Sequence, residues 1–201
     1  MTQRPGYGQR PRHRRGAGAE KGGRGERPRA EDPRRAAVEV LARVEGGAFA
    51  DVLVGELLAR TALDAREAAF FTRLVYGTEA WRGRLDWTLA GLARRPLDQL
   101  AAPVRAALRL GLFQLLLLDR VPAHAAVDTT VALVKQIAGA GAASFANAVL
   151  RGFLRRGERT LPNAQSEPDA HLAVRWSHPE WLVRMWRAEL GAPHPHQPFR
   201  V

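Results

Sequence analysis

The sequence contains no cysteine, and this absence excludes several kinds of chemistry. A chain without thiols has no disulfides, no thiolate metal site and no thiol nucleophile. Long hydrophobic runs are missing too, because the longest uncharged apolar run covers only residues 110–118, whereas a membrane span needs about 20 residues. The basic N-terminus lacks the apolar segment of a secretory signal. We therefore expect a soluble, cytoplasmic protein with no membrane partner.

Lysine is almost absent, yet the chain is strongly basic. Only Lys21 and Lys135 are lysines among 31 basic residues, and the formal net charge is +11. The guanidinium group of arginine stays charged and matches the oxygens of phosphate, which points to nucleic acid or an anionic surface. Compositional drift in a GC-rich genome also enriches Arg, Ala and Gly. Drift does not explain the net charge, which acidic residues could have balanced.

The first 32 residues have almost no aliphatic side chains and carry nine basic and four acidic residues. Such a segment buries too little apolar area to offset the entropy of ordering, so we expect a disordered Arg/Gly-rich tail. Its arginines, including Arg12, Arg14 and Arg15, are suited to contact RNA. The alternative is a solvated linker without a specific role. At the other end, residues 192–201 contain three prolines and predict a second irregular tail.

Between the tails, apolar residues recur at helical spacing, and no segment alternates with a period of two. Asp64 followed by Glu67 predicts a capping box. The sequence therefore predicts an all-α helical bundle. Its helices are expected over residues 33–45, 49–60, 64–92 as one long helix, 103–118 as the buried central helix, 122 to a break at 139–141, 145–156, 169–176 and 180–190. Within the long helix, Gly77 and Gly83 suggest close packing or a kink.

One basic helix face is a candidate nucleic-acid surface. Asn147, Arg151 and Arg155 are spaced four residues apart, Arg156 lies beside them, and Phe145 precedes them. An asparagine can read a base edge while arginines hold phosphates, and an aromatic ring can stack on an unpaired base. The same pattern also fits a solvated basic face at a helix C-terminus, with the asparagine bonded to backbone.

Catalytic and cofactor motifs are not found. The six histidines lack the spacing of a metal site, and the serines lack the setting of a nucleophile elbow. There is neither a Walker-type loop nor a Gly-rich turn between a strand and a helix. We therefore expect no catalytic residue, metal or cofactor in this chain.

Several stretches within residues 33–156 together resemble a known family. They are PRRAAVEVLARVEGGAFADVLV, AAFFTRLVYGTEAWRGRLDWTLAGLARRPLDQL, VRAALRLGLFQLLLLDRVPAHAAVDTTVALVK and FANAVLR. This combination resembles the NusB-like domain at the front of bacterial small-subunit rRNA cytosine-C5 methyltransferases, the RsmB (Sun/Fmu) family. Antitermination factor NusB shares that domain. The continuation RGFLRRGERTLP and the segment AVRWSHPEWLVRMWRAELG favour the methyltransferase family.

The resemblance implies a NusB-like bundle that docks RNA, with small-subunit rRNA as the expected partner. Full-length members of the family use S-adenosylmethionine and a cysteine nucleophile. Here the resemblance stops at about Gly191 and cysteine is absent, so we expect a truncated or divided gene product that is inactive alone. The alternative is a stand-alone NusB-like regulator of transcription with a ribosomal-protein partner.

The resemblance also places Arg34, Arg35 and Lys135 in the RNA-binding region. The expected organisation is a tail over 1–32, an RNA-binding domain over 33–158, a helical connector over 159–191 and a tail over 192–201. The predicted RNA-contacting residues are Arg12, Arg14, Arg15, Arg34, Arg35, Lys135, Phe145, Asn147, Arg151, Arg155 and Arg156.

Overall fold

The computed structural model describes residues 32–190, and this span contains helices and no strand. The predicted all-α class is thus confirmed. The two predicted tails lie almost entirely outside the described residues. In chain order the helices are α1 Pro33–Glu45, α2 Ala50–Arg60, α3 Ala65–Ala80, α4 Arg82–Leu92, a 3₁₀ turn Leu97–Gln99, α5 Ala102–Leu117, α6 Ala123–Arg156, α7 Pro168–Trp176 and α8 Glu180–Leu190.

Local capping fixes the starts of two helices. Asp32 accepts a hydrogen bond from the backbone N–H of Arg34 at 2.9 Å, with Pro33 at the first helical position. Asp64 accepts from the N–H of Glu67 at 2.8 Å, and the Glu67 carboxylate accepts from the N–H of Asp64 at 3.0 Å. These two reciprocal bonds confirm the predicted capping box.

The single long helix predicted over residues 64–92 is wrong, because α3 and α4 are separated at Trp81. A contact from a distant part of the chain caps the start of α4 at this break. The hydroxyl oxygen of Ser177 accepts hydrogen bonds from the N–H groups of Gly83, at 2.7 Å, and Arg84, at 3.3 Å. These are N–H groups that the start of a helix leaves without a partner inside the helix. Trp81 is half-buried against the core. Gly83 indicated close packing or a kink near this position, but sequence periodicity contains no trace of a cap from Ser177.

Helix α6 is interrupted at Gly139, as the glycines at 139–141 predict, and its two helical segments meet there at a kink. Gly139 has φ 82° and ψ −178°, a backbone conformation that favours glycine. In the described part of the chain, α6 is the one helix long and apolar enough to cross a membrane by length and composition. Its buried side chains pack against α5 as part of the core.

The core is built around α5, which contacts α1, α3, α4 and α6. Glycines at two crossings allow close approach. A Cβ atom at Gly77 on α3 would lie 2.1 Å from the Phe113 ring, and one at Gly111 would lie 2.8 Å from the hydroxyl of Thr130 on α6. The helix is buried almost all round, as predicted from its apolar sequence; its buried residues are Val104, Ala106, Ala107, Leu108, Arg109, Leu110, Gly111, Leu112, Phe113 and Gln114.

Helices α7 and α8 form a small unit that docks on α4. Arg187 on α8 pairs with Asp169 on α7. The segment that leads into the unit is anchored as well, since the indole N–H of Trp87 donates to the carbonyl of Thr160 at 3.1 Å. Arg84 holds Glu158 through two hydrogen bonds, one of them 2.7 Å long. These contacts place the predicted connector against the start of the bundle's fourth helix.

Candidate nucleic-acid interface

A groove lies between the end of α4 and the second half of α6. Its cavity has a volume of about 590 Å³. The α4 side consists of residues 91–94, and the α6 side is a face of small and aromatic residues that ends in two arginines. We call it the arginine groove; the side chains that give it its character are Arg94, Phe145, Ala148, Val149, Arg155 and Arg156.

The arginines of this groove have no partner within the described chain. Arg94, Arg155 and Arg156 are exposed, and neither an ion pair nor a hydrogen bond from residues 32–190 engages their guanidinium groups. Several arginines elsewhere in the fold are held by carboxylates, for example Arg60 by Glu39 at 3.1 Å. Like charges gathered without counter-charge repel one another, and a phosphate backbone would relieve that repulsion.

Phe145 lies between the arginine groove and a neighbouring cavity. The second cavity has a volume of about 610 Å³ and includes Arg95, Gln99 and Ala142 in its wall. Phe145 lines both cavities and is half-buried, with part of its ring packed against the core. An aromatic ring held in this way offers a rigid stacking surface for an unpaired base.

Asn147 and Arg151 do not line the arginine groove. They lie on the adjoining face of α6, where the side-chain oxygen of Asn147 accepts a hydrogen bond from Nε of Arg151 at 2.8 Å. This bond between side chains at positions i and i+4 is typical of a helix surface. It replaces the bond from asparagine to backbone that the alternative interpretation expected. Their contact with RNA stays a prediction.

The remaining predicted residues are spread over the molecule. Lys135 is exposed on the first half of α6, before the kink. Arg34 uses its Nε to donate to the buried Gln114 at 2.8 Å, and its guanidinium lies 4.9 Å from the centre of the Phe70 ring. Arg34 therefore joins α1 to α5, and Arg35 beside it is exposed. Arg12, Arg14 and Arg15 lie outside the described residues.

Sequence reasoning missed two arginines at this site: Arg94, which lines the arginine groove, and Arg95, which lines the neighbouring cavity. They follow the end of α4 and precede Pro96. The available signal was an arginine pair placed directly after an apolar stripe and before a proline, in LARRPLDQL. Such a pair shows that the turn is exposed, but only the fold shows that the turn faces α6.

Histidine, aspartate and glutamate side chains form no group of three or more that could hold a metal between residues 32 and 190. Arginine, aromatic and small side chains therefore define the chemistry of the groove. Such a surface can bind an anion and a planar ring, which are the two parts of a nucleotide that every sequence shares.

Comparison with known proteins identifies the family and the fold. Residues 31–155 match the sequence model of the NusB family. Among solved structures, the solution structure of NusB from Aquifex aeolicus aligns with a TM-score of 0.53 and 24% identity. That alignment covers 67% of this chain and 96% of the Aquifex chain. The predicted NusB-like bundle is thus confirmed at the level of fold.

Longer relatives share more of the sequence. A protein of Mycobacterium tuberculosis strain H37Rv, provisionally named a methyltransferase, is 40% identical over 176 residues, which is 84% of this chain. The ribosomal RNA small subunit methyltransferase B of Pseudomonas putida is 35% identical over 177 residues, and that of Thermus thermophilus is 37% identical over 163. The matched part spans 38%, 39% and 37% of these three relatives, respectively. Since the family match covers more than half of the 201 residues, the chain belongs to the NusB family.

Proposed function

We propose that the helical domain over residues 33–158 binds small-subunit ribosomal RNA in the cytoplasm and docks it for cytosine-C5 methylation. The observation that carries this proposal is the arginine groove, in which unpaired guanidinium groups surround one side of Phe145. The names of the relatives, which are small-subunit ribosomal RNA methyltransferases, suggest the substrate class. Residues 159–191 would connect the RNA-binding domain to the catalytic part of a methyltransferase.

The chemistry of methyl transfer would come from residues other than those described. The 201 residues contain no cysteine and hence no thiol nucleophile for attack on cytosine. S-adenosylmethionine would supply the methyl group in the longer relatives. The described residues do not fit that cofactor, since they form no strand and no Gly-rich turn from strand to helix. The role we assign to this chain is therefore RNA binding alone.

The direct test is binding to fluorescently labelled single-stranded fragments of small-subunit rRNA, measured by anisotropy. Replacing Arg155 and Arg156 by alanine should weaken binding by roughly tenfold or more, since a hydrogen bond to a charged group contributes about 1.5 kcal/mol. The matched control replaces Arg60 and Arg184, which are exposed and ion-paired outside the groove. Equal affinities of the two double variants would contradict the proposal.

A second arm tests the N-terminal tail. Removing residues 1–31 keeps Asp32, whose side chain caps α1, so the helical domain should stay folded. We expect weaker RNA binding because Arg12, Arg14 and Arg15 are lost. An unchanged affinity would contradict a role of the tail in RNA binding. Preference for an antiterminator RNA over small-subunit rRNA would instead favour a NusB-like regulator that works with a ribosomal protein.

A further inference from the structure

The connection between α4 and α5 carries Arg94 and Arg95 but has little structure of its own. Within it, only two backbone hydrogen bonds form: Gln99 N–H donates to the carbonyl of Pro96 at 3.2 Å, and Leu100 N–H donates to that of Leu97 at 3.1 Å. Both belong to the short 3₁₀ turn, which leaves its approach unsupported by backbone pairing. Something else must hold this connection against the bundle.

Arg105 on α5 supplies that support. Its Nη1 donates to the carbonyl oxygens of Leu97, at 2.8 Å, and Leu100, at 3.0 Å. Its Nε donates to the carboxylate of Glu45 at 2.9 Å, and Nη2 contacts the same oxygen. One guanidinium group thus ties the turn to the end of α1. Its donors point into the fold, in contrast to the free guanidinium of Arg94.

Glu45, the anchor of Arg105, is itself held rigidly. Its second oxygen pairs with the buried Arg109. Arg109 also binds both carboxylate oxygens of Asp86 on α4, at 2.6 and 2.8 Å. The Glu45 side chain is 8% exposed, so water competes little for its oxygens. The hydrogen bond with Glu45 raises the pKa of Arg105 further above its already high value. The turn is therefore fixed to α1, α4 and α5 by one network of ion pairs and hydrogen bonds.

We propose that Arg105 is a positioning residue for RNA binding: it fixes the α4–α5 connection so that Arg94 and Arg95 stay opposite Phe145. The inference rests on the proposed RNA-binding function of the groove. Arg105 does not face the groove, and it contributes to RNA affinity only by positioning Arg94 and Arg95.

A double-mutant cycle tests this assignment with a single-stranded fragment of small-subunit rRNA as the probe. Arg105→Lys keeps the charge but loses the planar fork that reaches two carbonyls and a carboxylate together. We expect it to weaken binding about fivefold in the otherwise unchanged chain. In an Arg94→Ala, Arg95→Ala background it should change affinity less than twofold, because the residues through which it acts are gone. Arg187→Lys, which alters a partly buried ion pair on α8, is the control and should bind as tightly as the unaltered chain.

The outcomes separate the inference from the proposed function. If replacing Arg94 and Arg95 leaves affinity unchanged, the inference is overturned, and the Arg155→Ala, Arg156→Ala variant decides separately whether the groove binds this RNA. If that pair weakens binding but Arg105→Lys does not, the proposed function stands and the inference is overturned. A loss of equal size in both backgrounds also overturns it, since Arg105 would then act by another route.

A second readout and a second variant keep the test decisive. Because the chain has no cysteine, Gln99→Cys gives a single exposed labelling position in the turn. A spin label there should become more mobile in Arg105→Lys, and unchanged mobility would refute the positioning role.

Should Arg105→Lys fail to fold, Pro96→Gly loosens the same exposed turn with Arg105 intact. It should weaken binding with the same dependence on Arg94 and Arg95, and unaltered affinity would again overturn the inference.

Discussion

Replacing Gly77 by alanine tests the close crossing of α3 and α5. A Cβ atom at this position would lie 2.1 Å from Cζ of Phe113 and 2.8 Å from both Cε atoms. Carbon atoms in contact prefer a separation of about 3.5–4.0 Å. The ring would have to move by more than 1 Å, but Phe113 is only 3% exposed and is enclosed by the core.

The expected magnitude follows from two opposing terms. Inserting a methyl group into a well-packed core costs about 1–3 kcal/mol, and more where the neighbour has no room to move. Alanine gains about 1 kcal/mol over glycine in a helix interior. Because the overlap at Gly77 is severe, the cost should exceed the gain, and we expect a net loss of about 2 kcal/mol. Urea denaturation followed by circular dichroism measures the change.

Gly55 provides the matched control, because a Cβ atom there meets nothing within 4 Å. Gly55→Ala on the exposed face of α2 should stabilise the fold by about 0.5–1 kcal/mol. Adding Phe113→Leu to Gly77→Ala should cost less than the sum of the two single changes, since the residues share one space. If Gly77→Ala were as stabilising as Gly55→Ala, the described crossing of α3 and α5 would be wrong.

Three further predictions concern a cap, the groove and a partly buried carboxyl group. Asp64→Ala removes the capping box with Glu67 and should cost about 1 kcal/mol of unfolding free energy in denaturant titrations, and no loss would contradict the cap. Phe145→Leu keeps the apolar packing but loses the stacking face, so RNA affinity in anisotropy titrations should fall roughly tenfold, and an unchanged affinity would exclude base stacking there. Burial raises the pKa of Glu79 above its ordinary value of 4.5, although Arg82 lowers it. The folded state then binds this proton more tightly than the unfolded state, so the free energy of unfolding falls as pH rises from 4.5 through the raised pKa. Glu79→Gln should make the fall smaller, as measured by the melting temperature at a series of pH values, and an unchanged pH dependence would contradict the raised pKa.

Features written in neighbouring residues were predictable from the sequence. The capping box at Asp64, the helix interruption at Gly139 and the buried character of α5 each follow from spacing or from the conformational preference of one residue. The family resemblance then predicted how such helices pack. These features depend on contacts within a few residues, which a linear pattern displays directly.

Features made by distant residues were not predictable in this way. The start of α4 is capped by Ser177, which lies 94 residues after Gly83, the residue whose N–H donates to it. The arginine groove joins Arg94 to Phe145 and Arg156 only because α4 and α6 lie side by side. Composition shows that arginine is abundant, but only the structure shows which arginines are ion-paired and which are available to bind a ligand. Arg109 forms ion pairs with the carboxylates of Glu45 and Asp86, whereas the guanidinium group of Arg94 has no partner among the described residues.

The most direct test of RNA binding by the arginine groove is the salt dependence of affinity for a single-stranded fragment of small-subunit rRNA. On a single strand, each neutralised phosphate contributes a slope of about −0.7 in log affinity against log salt concentration. If Arg155 and Arg156 each neutralise one phosphate, replacing both by alanine should make the slope shallower by about 1.4. The Arg60→Ala, Arg184→Ala control should keep the slope of the unaltered chain. The same slope in all three proteins would contradict RNA binding through the groove.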